Sequence, residues 1–79
     1  MIKKATEYTI SVAFSYKMST SNETLSTTKV YNIVAKYKSE ACDIARELNK
    51  AESYKYIDYR YLGLAVPIKK EVYVLIDSI

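Results

Sequence analysis

The sequence predicts an α+β fold of order ββαββ, a four-stranded antiparallel sheet with one helix packed on one face. Three observations carry this: two long stretches in which apolar and polar residues alternate, a switch to helical spacing from Ala41 to Leu48, and two further stretches of branched and aromatic residues after it. Seventy-nine residues make a single domain, 1–79. At this size folding hides only about 60–65% of the chain's surface, so the core is small.

Met1 to Ala5 reads as a frayed lead-in. From Thr6 to Met18 the residues Tyr8, Ile10, Val12, Phe14, Tyr16 and Met18 alternate with Thr9, Ser11, Ala13, Ser15 and Lys17, the pattern of a strand with one buried face. The polar run Ser19 to Thr24 closes a hairpin into a second strand over about 25–37. A turn centred on Ser21 and Asn22 sets Ile10 opposite Ile33, Val12 opposite Tyr31, Tyr8 opposite Ala35 and Glu7 opposite Lys36. A slip of one residue would turn Ile33 and Ala35 out of the core, whereas a slip of two keeps the faces.

The helix follows over about 39–51. Its apolar residues Ala41, Ile44, Ala45 and Leu48 stand at i, i+3, i+4 and i+7, Ser39 is placed to cap it, Glu40 and Asp43 suit its positive end, and Arg46 and Lys50 trail toward the other. The stretch 54–66 reads as a third strand with Ile57, Tyr59 and Tyr61 inward and a bulge at Gly63. Pro67 to Lys70 supplies a turn, and 71–77 a fourth strand with Val72, Val74 and Ile76 inward. The expected strand order is 2-1-3-4, and the apolar run Leu62 to Ile68 is expected to be buried rather than to form a docking loop.

Composition narrows the chemistry. With no histidine and the single cysteine Cys42, the common zinc sites and the Ser-His and Cys-His catalytic pairs are excluded within one chain. One glycine cannot build a phosphate-cradling loop. No catalytic, cofactor or metal site is therefore expected. Asp43 and Glu40 oppose activation of the Cys42 thiol, which reads as an inert, partly packed side chain. No apolar stretch approaches the ~20 residues of a membrane span, and a lone cysteine with no leader-like start fits a reduced cytoplasmic setting. The net charge of +3 permits acidic partners without demanding them.

One helix covers one face of a sheet, so the other is left open. On it the hairpin places Thr9, Ser11, Ala13 and Ser15 beside Val30, Asn32 and Val34, a row that is small, uncharged and partly apolar where water-facing strands usually carry Lys, Glu or Arg. Tyr56, Leu62, Tyr73 and Leu75 extend it into a tyrosine-bearing surface of the kind enriched at protein interfaces. The candidate partner-binding residues are Ser11, Ala13, Asn32, Val34, Lys36, Lys38, Tyr56 and Tyr73. The competing reading is a plain solvent-facing sheet. Direct nucleic-acid contact would fall to Lys17, Lys29, Lys36, Lys38, Lys69 and Lys70 with neighbouring tyrosines, but no motif of sheet-face RNA binders is present.

The passage from Ile33-Val34-Ala35 through a polar step to Ser39-Glu40-Ala41 and Ile44-Ala45 resembles the hairpin-plus-helix unit of small phage and mobile-element proteins. Among these it is similar to compact anti-CRISPR proteins with one helix on an antiparallel sheet. The resemblance implies a non-enzymatic inhibitor that binds a host defence nucleoprotein complex and obstructs its nucleic-acid-binding surface. In such proteins basic residues can open the helix; here Glu40, Cys42 and Asp43 stand there, so that role is not carried over. The alternative expectation is a homodimeric structural or regulatory module whose open sheet faces pair.

Overall fold

The computed structural model describes residues 1–76. It has β1 (Ile2–Lys17), β2 (Thr24–Val34), α1 (Lys38–Ala51), a short 3-10 turn (Ser53–Lys55), β3 (Ile57–Leu64) and β4 (Ile68–Leu75). All strand pairings are antiparallel and the architecture is the expected α+β ββαββ.

β1 is the spine of the molecule. Its sixteen residues pair with β2 along one side and with both β3 and β4 along the other. β4 runs beside Ile2 to Thr9 and β3 beside Val12 to Lys17, so the two lie end to end as one long outer row. The expected order 2-1-3-4 is corrected at this point: β4 pairs with β1, and Pro67 to Lys70 makes no reversal. Ala65 N–H donates to the Ser11 carbonyl (3.0 Å) and Pro67, which has no N–H to give, sits where the row is irregular. Met1 to Ala5 is no lead-in either, because β4 gives residues 2–5 a partner strand. Asp77 of the expected fourth strand lies outside the described residues.

The hairpin register is shifted by two from the expected one. Tyr8 lies opposite Ile33, Ile10 opposite Tyr31, Val12 opposite Lys29, and Glu7 opposite Val34 rather than Lys36. The shift preserves the faces, which is why alternation could not detect it. Met18 N–H donates to Glu23 C=O at the loop end and Ala35 N–H to Thr6 C=O at the far end, both at 3.1 Å. Those two pairs fix the alternation of the ladder. Leu25, Thr27, Lys29, Tyr31 and Ile33 direct their backbone groups at β1, and Ser26, Thr28, Val30, Asn32 and Val34 direct theirs outward.

The core is Tyr8, Ile10, Val12, Ile33, Ala35, Ala41 and Ala45, with Tyr31, Cys42 and Leu64 packed against it. The half-buried Cys42 is placed as a structural side chain. α1 begins one residue early, after Tyr37, and Ser39 lies in its first turn instead of capping it; no side chain caps this end. The helix buries Ala41, Ala45 and Asn49, spaced by four. Ile44 and Leu48, expected to face inward, are 37% and 45% exposed. Two alanines at the contact let the helix approach the sheet closely, and the larger residues are left on its flank.

Candidate interaction surface

In the register of β1, the odd residues face away from the helix. Thr9, Ser11 and Ala13 form the middle of this uncovered face, with Asn32, Val30 and Thr28 beside them on β2, while Val34 lies opposite Glu7. On the other side Ile68 pairs with Thr9, Val72 with Ala5 and Gly63 with Ala13. Paired residues share a face. The surface is therefore a trough of small side chains bounded by Val30, Val34 and Ile68. Thr9 Oγ1 donates to Asn32 Oδ1 (2.8 Å), which holds the asparagine across the trough. Glu7 and Lys70 cross the face at one end of this trough, with Lys3 beyond them, and Arg60 lies at the other end.

Of the expected partner-binding residues, Ser11, Ala13, Asn32 and Val34 are brought together on this face. Lys36 follows β2, its ammonium 5.4 Å from the centre of the Tyr37 ring, and lines a hollow with Val34, Ala5 and Val74 at the end of the face, whereas Lys38 opens α1. Tyr56 belongs elsewhere. Its ring is 4.9 Å from both Phe14 and Tyr16, in an aromatic cluster that includes Tyr59, on the helix side of the sheet. Tyr73 pairs with Lys4, which the alternation of β1 also places on the helix side, beyond the reach of the helix. Tyr56 was misplaced because register shifts along β3 reverse the faces that strict alternation assigns, and Tyr73 because both faces of β4 carry apolar residues and only its pairing with β1 shows which of them turns to the helix side.

Pairing with β1 likewise corrects the faces of β3 and β4. The helix does not cover Val72 and Val74; they share the uncovered face with Ala5 and Lys3. Ile57 is exposed, and the run 62–68 is not buried, with Val66 86% exposed. The sequence reading missed Ile68 and Val72 as members of the open face. Only the pairing with β1 reveals them, and that pairing is non-local. Gly63, expected at a bulge, has φ 155 beside a register shift between Ala13 and Phe14.

The helix side holds the polar network. Asn49, 2% exposed, accepts from the Tyr59 hydroxyl through Oδ1 and donates from Nδ2 to the Tyr31 hydroxyl (3.2 Å), tying α1 to β2 and β3. Burial holds the Tyr59 phenol above its ordinary pKa. Lys29 Nζ donates to Glu52 Oε2; that bond pushes the lysine up and the carboxyl down. Arg46, Glu47, Lys50, Ser53, Tyr59 and Tyr61 line a cleft of about 430 Å3 between α1 and β3.

The lysines proposed for nucleic-acid contact are not gathered. Lys29 is paired with Glu52, Lys17 lies 3.8 Å from Asp58, and Lys69 and Lys70 sit on opposite faces of β4. Lys4 and Glu71 pair at 3.2 Å. Among the described residues no cluster of cysteine and carboxylate groups is spaced to hold a metal, and no helix is long and apolar enough to cross a membrane. Compared with protein-family models, with curated proteins and with solved structures, the chain matches none.

Proposed function

We propose that this chain is a non-catalytic interaction protein that acts by occupying a surface of a host nucleoprotein complex, as a phage or mobile-element inhibitor of the anti-CRISPR kind working in the cytoplasm. The observation that carries the interaction reading is the uncovered sheet face, a trough of Thr9, Ser11 and Ala13 bounded by Val30, Val34 and Ile68 with charge only at its ends. A surface of that make-up gains most from excluding water against a protein. The resemblance of the Ile33 to Ala45 segment supplies the specific form, inhibition by stoichiometric binding without chemistry.

The test is to add the protein to purified CRISPR surveillance complexes and measure their binding of target DNA. Inhibition that saturates near one chain per site, and weakens at least tenfold on Ala13→Arg, is the expected result. No inhibition of any complex type, with no co-migration, would remove the anti-CRISPR reading. Binding to short DNA and RNA is measured alongside at two salt concentrations. Scattered lysines predict no appreciable affinity near physiological salt, and a tight, steeply salt-dependent complex would move the contact to nucleic acid. The second reading, a homodimeric structural or regulatory module whose open sheet faces pair, rests on the same uncovered face; a persistent dimer whose mass falls on Ala13→Arg would favour it.

A further inference from the structure

The two outer edges of the sheet are made differently. On the β3–β4 side the register against β1 steps three times, Asp58 takes φ 54, Pro67 interrupts the row, and Asp58, Arg60, Lys69, Lys70 and Glu71 supply charge. Bulges, proline and charge are the means by which edge strands avoid pairing with other chains. β2 has none of them. Its eleven residues keep an unbroken register with β1, contain no proline or glycine, and include one charge, Lys29, already held by Glu52. The outward N–H and C=O groups of Ser26, Thr28, Val30, Asn32 and Val34 meet no strand among the described residues.

The helix adds a second, independent observation. Arg46 and Lys50 line the cleft with Tyr59 and Tyr61, which fixes the flank of α1 that faces β3. Ile44 and Leu48 lie two residues earlier in each case, about 160° around the helix. They therefore stand on the opposite flank, on the side of the free β2 edge, where they form an exposed apolar strip beside Asp43 and Glu47.

Area is the third. The chain exposes 5948 Å2, whereas a compact monomer of its mass exposes about 4,900 Å2. The excess, roughly 1,000 Å2, is close to the ~800 Å2 each partner loses in a stable complex.

From these we propose that the chain forms a two-fold homodimer in which β2 pairs antiparallel with β2 of a second copy, making one continuous sheet and closing Ile44 and Leu48 of each helix against those of the other. A second copy answers both vacancies at once; a lone extended peptide would pair the edge but leave the helix flank uncovered. The spacing agrees. α1 packs over β1 and β2, so one further strand spacing of ~4.8 Å puts the two helix axes about 10 Å apart, at the upper end of the 8–10 Å or so over which helices pack. A two-fold axis at Asn32 brings the outward backbone groups of Val30, Asn32 and Val34 against those of the second copy's Val34, Asn32 and Val30, and keeps Lys29 from its own equivalent. This interface borders the uncovered sheet face at Val30, Asn32 and Val34 but does not depend on that face's partner.

Light scattering across a concentration series is the first test. The expected mass is twice 9.1 kDa, falling to that of one chain in the double variant Ile44→Glu, Leu48→Glu with the circular dichroism spectrum unchanged, and unaffected by Ala13→Arg on the open face. A second measurement is independent of those variants. Asn32→Cys in a Cys42→Ser background places two cysteines across the axis at about 5.5 Å between Cα atoms, within disulfide range. Rapid oxidation to a covalent dimer is expected, well ahead of a Thr20→Cys control in the loop. A single-chain mass at every concentration, a dimer abolished by Ala13→Arg but indifferent to the helix variant, or crosslinking no faster than the control would each overturn the proposal.

Discussion

Asn49 joins three elements through one side chain. Buried polar groups are tolerated where each is bonded, and here the amide satisfies two tyrosine hydroxyls while they satisfy it. Truncation would leave those hydroxyls without a partner beneath the helix. We expect Asn49→Ala to cost about 1–3 kcal/mol and to lower Tm by roughly 5–15 °C in a domain of this size, read from thermal unfolding followed by circular dichroism. A change of less than about half a kcal/mol would mean that water replaces the amide. Nothing in an apolar stripe marks Asn49 for burial. The available signal was its spacing, since Ala41, Ala45 and Asn49 continue one line at i, i+4 and i+8. Tyr59, by contrast, was readable as an inward residue of its strand.

The helix and the outer row show where local patterns stop being informative. Spacing found α1 within one residue at its start, yet a stripe of four apolar residues spans enough of the circumference that either margin can meet the sheet. Size decided between them: the alanines take the contact, and Ile44 and Leu48 stay on the flank. Ala45 is fully buried, so Ala45→Leu forces the helix off the sheet and should destabilise by about 1–3 kcal/mol, measured by urea unfolding. Stability unchanged within error would contradict the close approach described here. In the outer row the stretch from Pro67 to Lys70 read as a turn because a proline with two lysines close behind it has that composition. Pro67 instead marks an irregular step in a continuing row, where a missing N–H costs little.

At the level of the whole chain, the principal extents of 52 × 28 × 15 Å and a radius of gyration of 15.8 Å describe a long, thin plate, against about 12 Å for a compact domain of this length. The hairpin was legible because its strands are adjacent in sequence and alternate cleanly. The sharing of one edge of β1 by β3 and β4 was not, since the choice of a distant partner strand leaves no trace in local periodicity. That arrangement produces both halves of the functional reading. It spreads a three-row sheet wider than one helix can cover, leaving an open face, and it blunts one edge while leaving β2 regular.

Amide hydrogen exchange along β2, measured at low and high protein concentration, tests this most directly. Tyr31 and Ile33 donate into the β1 ladder and should exchange slowly at both. Val30, Asn32 and Val34 point outward and should exchange fast when dilute and slow by more than tenfold when concentrated, as a second copy pairs with them. Outward amides that exchange equally fast at both concentrations would contradict the account; slow exchange at high concentration confined to β2 would be the signature it predicts.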